Sequence, residues 1–154
     1  MKQSKKKEKT LAVIIPCFNS SGTIERALRS IFSQTRAPDE IIVVDDCSED
    51  FQKTIKIVKK FHDVQLIRNR QNIGPSATRN VGIWKCNSDI VTFLDADDEC
   101  HELRFELQLN EIFFSFRSSL RSNFLKFFVE SKNKYQFNKN IYKNRHQVEK
   151  YNDF

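Results

Sequence analysis

Leu11-Ala12-Val13-Ile14-Ile15-Pro16 is the stretch that decides the fold, five apolar residues in a row closed by a proline. A strand with one wet face alternates apolar and polar side chains, whereas an unbroken run belongs to a strand covered on both faces. Such a strand needs helices against it, and the sequence supplies one at once. After Asn19-Ser20-Ser21-Gly22, apolar residues Ile24, Ala27, Leu28, Ile31 and Phe32 recur at helical spacing, with Glu25 in the first turn.

The same alternation continues outward. Ala37-Pro38-Asp39 breaks the helix, and Ile41-Ile42-Val43-Val44 is a second β-branched run ending at Asp45-Asp46. Phe51, Ile55, Val58 and Phe61 mark a second helical stripe, and Val64 to Ile67 a third strand. The loop Asn69–Pro75 leads into a helix through Ala77, Val81 and Trp84, the tryptophan being read as packing, and Ile90 to Leu94 forms a fourth strand. His101 to Phe116 predicts a further helix, on which Leu103, Leu107 and Phe114 compete with Phe105, Leu109, Ile112 and Phe116 for the buried face. Strands that alternate with helices need crossover connections, which give a mostly parallel α/β sheet with helices on both faces. Ligands of an open sheet of this kind bind beyond the carboxyl ends of the strands.

Charge divides the chain. The net charge of +6 resides in the ends: residues 1–10 carry five Lys and one Glu, and residues 117–154 carry nine Lys/Arg and three acids. The middle, 11–116, has twelve Lys/Arg against sixteen acids, which excludes a basic nucleic-acid-binding face. Three regions follow: a basic tail over 1–10, a folded unit over 11–116, and a basic, weakly structured Phe/Asn/Lys-rich extension over 117–154, in which Phe124–Val129 is the one candidate element. The basic ends permit peripheral contact with an anionic membrane surface. Cys17, Cys47, Cys86 and Cys100 show no metal-ligand or disulfide spacing, and no apolar signal segment stands out, so a reduced cytoplasmic setting is expected.

Every unusual polar group falls after a strand: Cys17-Phe18-Asn19, Asp45-Asp46, Asn69–Pro75 and Asp95-Ala96-Asp97-Asp98. Neither a Gly-rich dinucleotide fingerprint nor a P-loop is present. Crowded carboxylates repel one another unless a cation joins them, and hard oxygen donors suit Mg²⁺ or Mn²⁺ at Asp95, Asp97 and Asp98. Such an ion keeps several waters and completes its shell with substrate phosphates, so a phosphorylated ligand is expected. Asp45 or Asp46 is placed to accept a base N–H, and Phe18 to stack on its ring.

These residues carry a resemblance. Ile14–Asn19, Ser30–Thr35, Ile42–Ser48, Asn72–Gly82 and Leu94–Asp98, collinear over about residues 10–110, resemble the nucleotide-sugar half of the inverting family 2 glycosyltransferases of GT-A fold. The resemblance implies a Rossmann-like GT-A sheet, incomplete on its C-terminal side. It implies a nucleotide-sugar donor, UDP-linked in the first instance, whose sugar passes with inversion to a saccharide or lipid acceptor in polysaccharide biosynthesis. Pro16 and Phe18 would shape the nucleobase pocket, Asp46 with Asp45 would hold the uracil edge, and Arg79 would lie near the diphosphate. Asp95 and Asp97 match the family's D-x-D motif, and Asp98 matches an acid that some members place on the metal.

The departures are equally specific. Cys47 stands where the family often has Gly, which puts a positive-φ turn in question. Phe18 replaces a frequent Tyr, while Cys100 and Glu102 replace the usual Trp and Pro. The family's general base lies well downstream, and the 56 residues after Asp98 contain only Glu99, Glu102, Glu106, Glu111, Glu130, Glu149 and Asp153, none in a recognisable motif. The alternative reading is therefore a truncated fragment that binds a nucleotide sugar without turning it over. A receiver domain also places an acid pair after a strand, but it needs a further Lys-bearing strand end and a Ser or Thr switch. Residues 100–154 show neither clearly, and Leu11–Pro16 would be surplus.

Overall fold

A computed structural model of the chain describes residues 9–118. The expected basic tail (but for its last two residues), nearly all of the 117–154 extension and the Phe124–Val129 element lie outside them. Four strands, β1 (Leu11–Cys17), β2 (Glu40–Asp45), β3 (Val64–Arg68) and β4 (Ile90–Phe93), alternate with helices α1 (Ile24–Phe32), α2 (Phe51–Val58), α3 (Pro75–Lys85) and α4 (Arg104–Ser118). The strands form one fully parallel sheet in the order β3-β2-β1-β4, which is the α/β, Rossmann-like architecture expected. Polar end residues such as Glu40, Asp45 and Arg68 join the ladder, because backbone pairing does not depend on side-chain polarity.

β1 is central, and its two faces build two cores. Leu11, Val13, Ile15 and Cys17 pack with Ile24, Ala27, Leu28 and Ile31 of α1, Val58 of α2, and Phe105 and Leu109 of α4. Ala12 and Ile14 face the other way, joining Ile42 and Val44 of β2 with Val81 of α3. Leu11 to Ile15 are at most 2% exposed, as an unbroken apolar run requires. Gly82 lets α3 lie close on β1, since a Cβ there would stand 2.4 Å from Ile14 Cγ2.

The helical stripes needed correction at three places. Phe32 ends α1 half exposed and rests on the Phe61 ring instead of the core. Trp84 is exposed, and α3 buries Thr78, Val81 and Gly82 in its stead. On α4, Phe105 and Leu109 take the buried face while Leu107, and Leu103 just before the helix, stay outside, because Phe105 fills the space under α1 and β1.

After β1 the chain steps to β2 and then β3 on one side, and β4 returns to the other side of β1. α1 and α2 therefore lie on one face and α3 on the opposite one, as right-handed crossovers demand. The reversal opens a crevice over the carboxyl end of β1.

Candidate functional site

The register brings the expected residues to one rim. Cys17 pairs with Asp45, which pairs with Arg68, and Ile14 pairs with Phe93. Leu94 donates its N–H to the Ile14 carbonyl, so the ladder continues and sets Asp95 at the level of Pro16. β2 and β4 both border β1, which separates their tips by two strand spacings, about 10 Å. Phe18 stands half exposed just beyond β1.

The acid pair after β2 is buried, Asp45 at 0% and Asp46 at 3% exposure. Asp45 Oδ1 accepts the Ser48 N–H at 3.0 Å and lies 3.6 Å from Arg68 Nε. Arg68 is itself stacked on Phe51, 4.2 Å from the ring centroid. Asp46 grips the loop before α3: it accepts from Asn69 Nδ2 at 2.8 Å, from Ile73 N–H at 3.0 Å and from Gly74 N–H at 2.8 Å. Asn69 in turn donates to Thr78 of α3, so the β2 tip, the loop and the helix are tied together. Asp45 Oδ2 and Asn69 Oδ1 are buried with no hydrogen-bond partner among the described residues. Gly74 adopts φ +83°, the left-handed region that a side chain resists, and hands the chain to Pro75 at the start of α3.

The turn after β2 settles the question raised at Cys47. It keeps a positive φ, +63°, with cysteine in place of glycine. Asn19 (φ +49°) mirrors it across the crevice, and the two loops are clipped together: Asn19 N–H donates to Ser48 Oγ, Glu49 N–H to Asn19 Oδ1, and Ser21 N–H to Asp50. Burial, with Asp45 and Asp50 nearby, pushes the Cys17 thiol up to about 11.

The acidic turn after β4 is open. Asp97 and Asp98 are exposed, and the Asp95 side chain is about half exposed. Arg79, on the second turn of α3, bonds Asp95 Oδ1 through one guanidinium nitrogen at 2.5 Å. Arg26 of α1 holds the far side of the turn, donating to the Asp97 carbonyl at 2.8 Å and pairing with Glu99. Beyond it, Gln34, two residues past the end of α1, donates to the His101 carbonyl and accepts the Phe105 N–H, while Ser30 Oγ of α1 accepts the Cys100 N–H. Ser30 and Gln34 thus have a job that spacing alone did not reveal, as do Arg26, Asn69 and Thr78.

As a metal centre, the donor set consists of hard carboxylate oxygens, the kind Mg²⁺ and Mn²⁺ take. Among the described residues no three acids, histidines or cysteines converge as a closed cage, so an ion here would draw on ligand oxygens and water. A separate, mostly apolar cavity of about 310 Å³ lies between β4 and α4, lined by Leu11, Ile90, Phe105, Leu109 and Ile112, with Glu111 as its carboxylate. No described helix is long and apolar enough to cross a membrane.

Comparison with known proteins agrees with this geometry. TarS of S. aureus in complex with UDP superposes with a TM-score of 0.61 at 26% identity, over 70% of this chain and 33% of that one. The mannosyltransferase PcManGT of Pyrobaculum calidifontis, in complex with GDP-Man and Mn²⁺, gives 0.55 at 25% identity, over 60% and 29%. An uncharacterized glycosyltransferase of Rickettsia bellii is 34% identical over 86% of this chain and 20% of its own length. The poly(ribitol-phosphate) beta-N-acetylglucosaminyltransferase TarP of Staphylococcus aureus is 36% identical over 64% and 31%. The chain spans about a fifth to two fifths of the length of such curated relatives. The Glycosyl transferase family 2 model matches residues 12–153, and with the parallel sheet and its acid-bearing rim this establishes that the chain belongs to glycosyltransferase family 2.

Proposed function

We propose that residues 11–116 form the donor half of a glycosyltransferase, binding a nucleoside-diphosphate sugar, UDP-linked in the first instance, across the carboxyl end of β1. The observation that carries this reading is that the acid tips of β2 and β4 flank one strand, with exposed Phe18 between them. Phe18 offers a stacking face to the base, beside Pro16. The unpartnered Asp45 Oδ2 offers an acceptor to a base N–H, while Asp46 shapes the same pocket by holding the loop at Ile73 and Gly74. Arg79 brings positive charge to the diphosphate end. Asp95, Asp97 and Asp98 would hold Mn²⁺ or Mg²⁺, which when bound supplies Lewis-acid stabilisation of a departing diphosphate. A solved relative that binds GDP-Man together with Mn²⁺ supports this assignment.

Transfer with inversion to a saccharide or lipid acceptor, in polysaccharide biosynthesis, completes the proposal, with the protein in the cytoplasm or at the membrane's inner face. It needs a general base, and the described acids after Asp98 do not offer an obvious one. Glu99 pairs with Arg26, and Glu106 accepts from Thr35. Glu102 and Glu111 are exposed, and Glu130, Glu149 and Asp153 lie outside the described residues; binding without turnover is the second reading. Calorimetry of UDP with the full chain tests the shared part. Binding should require a divalent ion, and Asp95→Asn with Asp97→Asn should remove that requirement together with most of the affinity. Equal binding with and without EDTA overturns the metal assignment, and no binding of any nucleotide in a UDP- and GDP-sugar panel overturns the donor site. Radiolabelled transfer in Mn²⁺ separates the two readings, since bound UDP with zero turnover supports binding alone.

A further inference from the structure

Asp95, Asp97 and Asp98 sit within four positions on an exposed turn, and such crowding is unfavourable without a counter-charge. The chain brings two guanidiniums to the turn, Arg26 at the Asp97 carbonyl and Glu99, and Arg79 at the Asp95 carboxylate. Arg79 Nη2 stands 2.5 Å from Asp95 Oδ1, while among the described residues no basic side chain pairs with the carboxylates of Asp97 or Asp98. On the reading above, a divalent ion takes carboxylate oxygens of this turn, Asp95 among them, and the diphosphate beside it takes the Arg79 guanidinium. Both demands fall on the same pair.

We propose that Arg79 is a resident counter-cation of Asp95 that competes with the divalent ion until a nucleoside diphosphate arrives, and then transfers its contact from the carboxylate to the diphosphate. This rests on the nucleotide-sugar reading of the rim.

Three features of the pair suit an exchange. The contact runs through one nitrogen and one oxygen, unlike the two-pronged fork that makes arginine–carboxylate pairs hard to break. The side chains of Arg79 and Asp95 are 29% and 49% exposed, a setting in which ion pairs are weak and water can replace either partner. The helix bearing Arg79 is anchored independently, through Thr78 to Asn69 and through Asp46 to the loop before Pro75. The arginine can therefore leave Asp95 by rotating its own side chain, with α3 unmoved. The guanidinium lies 6.0 Å from the Phe93 ring centroid, so the ring flanks its path without clamping it.

The consequence is a sign reversal. Removing Arg79 should strengthen binding of the metal alone and weaken binding of the metal with nucleotide. Mn²⁺ titration of the full chain, followed by the free-ion electron paramagnetic resonance signal, measures the first directly. Arg79→Met should bind Mn²⁺ about threefold to fivefold more tightly than wild type, the scale of a half-exposed ion pair. Its affinity for UDP in saturating Mn²⁺ should fall about tenfold, the scale of one lost charged hydrogen bond. Arg79→Lys, which keeps the charge, should restore most of both, and in an Asp95→Asn background Arg79→Met should no longer change Mn²⁺ affinity. Far-ultraviolet circular dichroism identifies any variant that has lost its fold, in which case the lysine and asparagine variants carry the comparison. Unchanged or weakened Mn²⁺ binding in Arg79→Met overturns the exchange. Failure of wild type to bind UDP at any Mn²⁺ concentration overturns the donor site itself, and the two failures are read in separate titrations.

Discussion

Asp46 gives its carboxylate to three donors that lie 23 to 28 positions further along the chain. Replacing it with alanine leaves the partly buried Ile73 N–H without its acceptor and leaves Asn69 Nδ2 and the Gly74 N–H with only their second partners, Thr78 and Asn72. Asp46→Ala should therefore lower stability by about 1–3 kcal/mol, measured by urea unfolding, and reduce UDP affinity even at temperatures where the variant is folded. Cys47 occupies a backbone region that suits glycine and penalises β-branched side chains. Cys47→Gly should leave the melting temperature within a few degrees of wild type, whereas Cys47→Val should lower it. Cys17, with its thiol raised to about 11, stays protonated at neutral pH and should resist iodoacetamide, while Cys47 and Cys100 react first in peptide mass mapping of the native protein. At this scale the sequence told which residues reach the rim but not what they touch. The strand-end position of Asp46 follows from local pattern; its partners depend on how a distant loop folds back. Asn69 and Thr78 lay in segments already marked, but their own roles were not legible, because buried polar side chains look like ordinary loop and helix residues until their partners are known.

The elements were far more legible, and for a physical reason. Burial on two faces forces unbroken apolar runs, and those runs mark β1 and β2 to within a residue at each end; β4, an edge strand interrupted by Thr92, was bounded as closely by its flanking polar residues. β3, with its mixed intermediate and exposed positions at the sheet edge, still showed its apolar Val64, Leu66 and Ile67. Helix existence followed from periodicity, but helix rotation did not when two stripes competed, as on α4. The same limit explains α3: its contact with β1 is made by Gly82, a residue without a side chain to advertise it. Gly82→Ala should cost about 1–3 kcal/mol through collision with Ile14, outweighing the gain in helix propensity, and differential scanning calorimetry would show it as a lowered midpoint. At the other end of the sheet, Asp89 ties β4 to the start of β1. It accepts from Lys9 Nζ at 3.0 Å and from the Thr10 N–H at 3.2 Å. Chiefly the Lys9 bond, then the Thr10 amide, hold its carboxyl below the ordinary 3.8. A depressed carboxylate contributes stability above its unfolded value and loses it as pH falls through the folded one. Melting temperature between about pH 5 and about pH 2.5 should therefore fall less steeply in Asp89→Asn than in wild type.

At the scale of the whole molecule, fold class followed from alternation alone, whereas the strand order did not. Nothing local distinguishes a strand that joins beside β3 from one that returns beside β1; the choice is made by which sheet edge the α3 crossover can reach with right-handed sense. That choice places Asp95 across β1 from Asp45, and so makes a shared ligand geometrically feasible. It also leaves β4 held unequally. β4 is four residues long and, among the described residues, hydrogen-bonds to β1 alone, while β1 and β2 each have two neighbours. Backbone amides of β4 should consequently take up deuterium faster than those of β1 or β2 in the free protein. A guest lying over β1 with its base toward β2 and its phosphates toward β4 would act as a staple across that weak seam. At a hundred times its dissociation constant it adds about 2.7 kcal/mol to the cost of opening, so protection gained on binding should be concentrated at Ile90 to Phe93 and not spread evenly through the sheet.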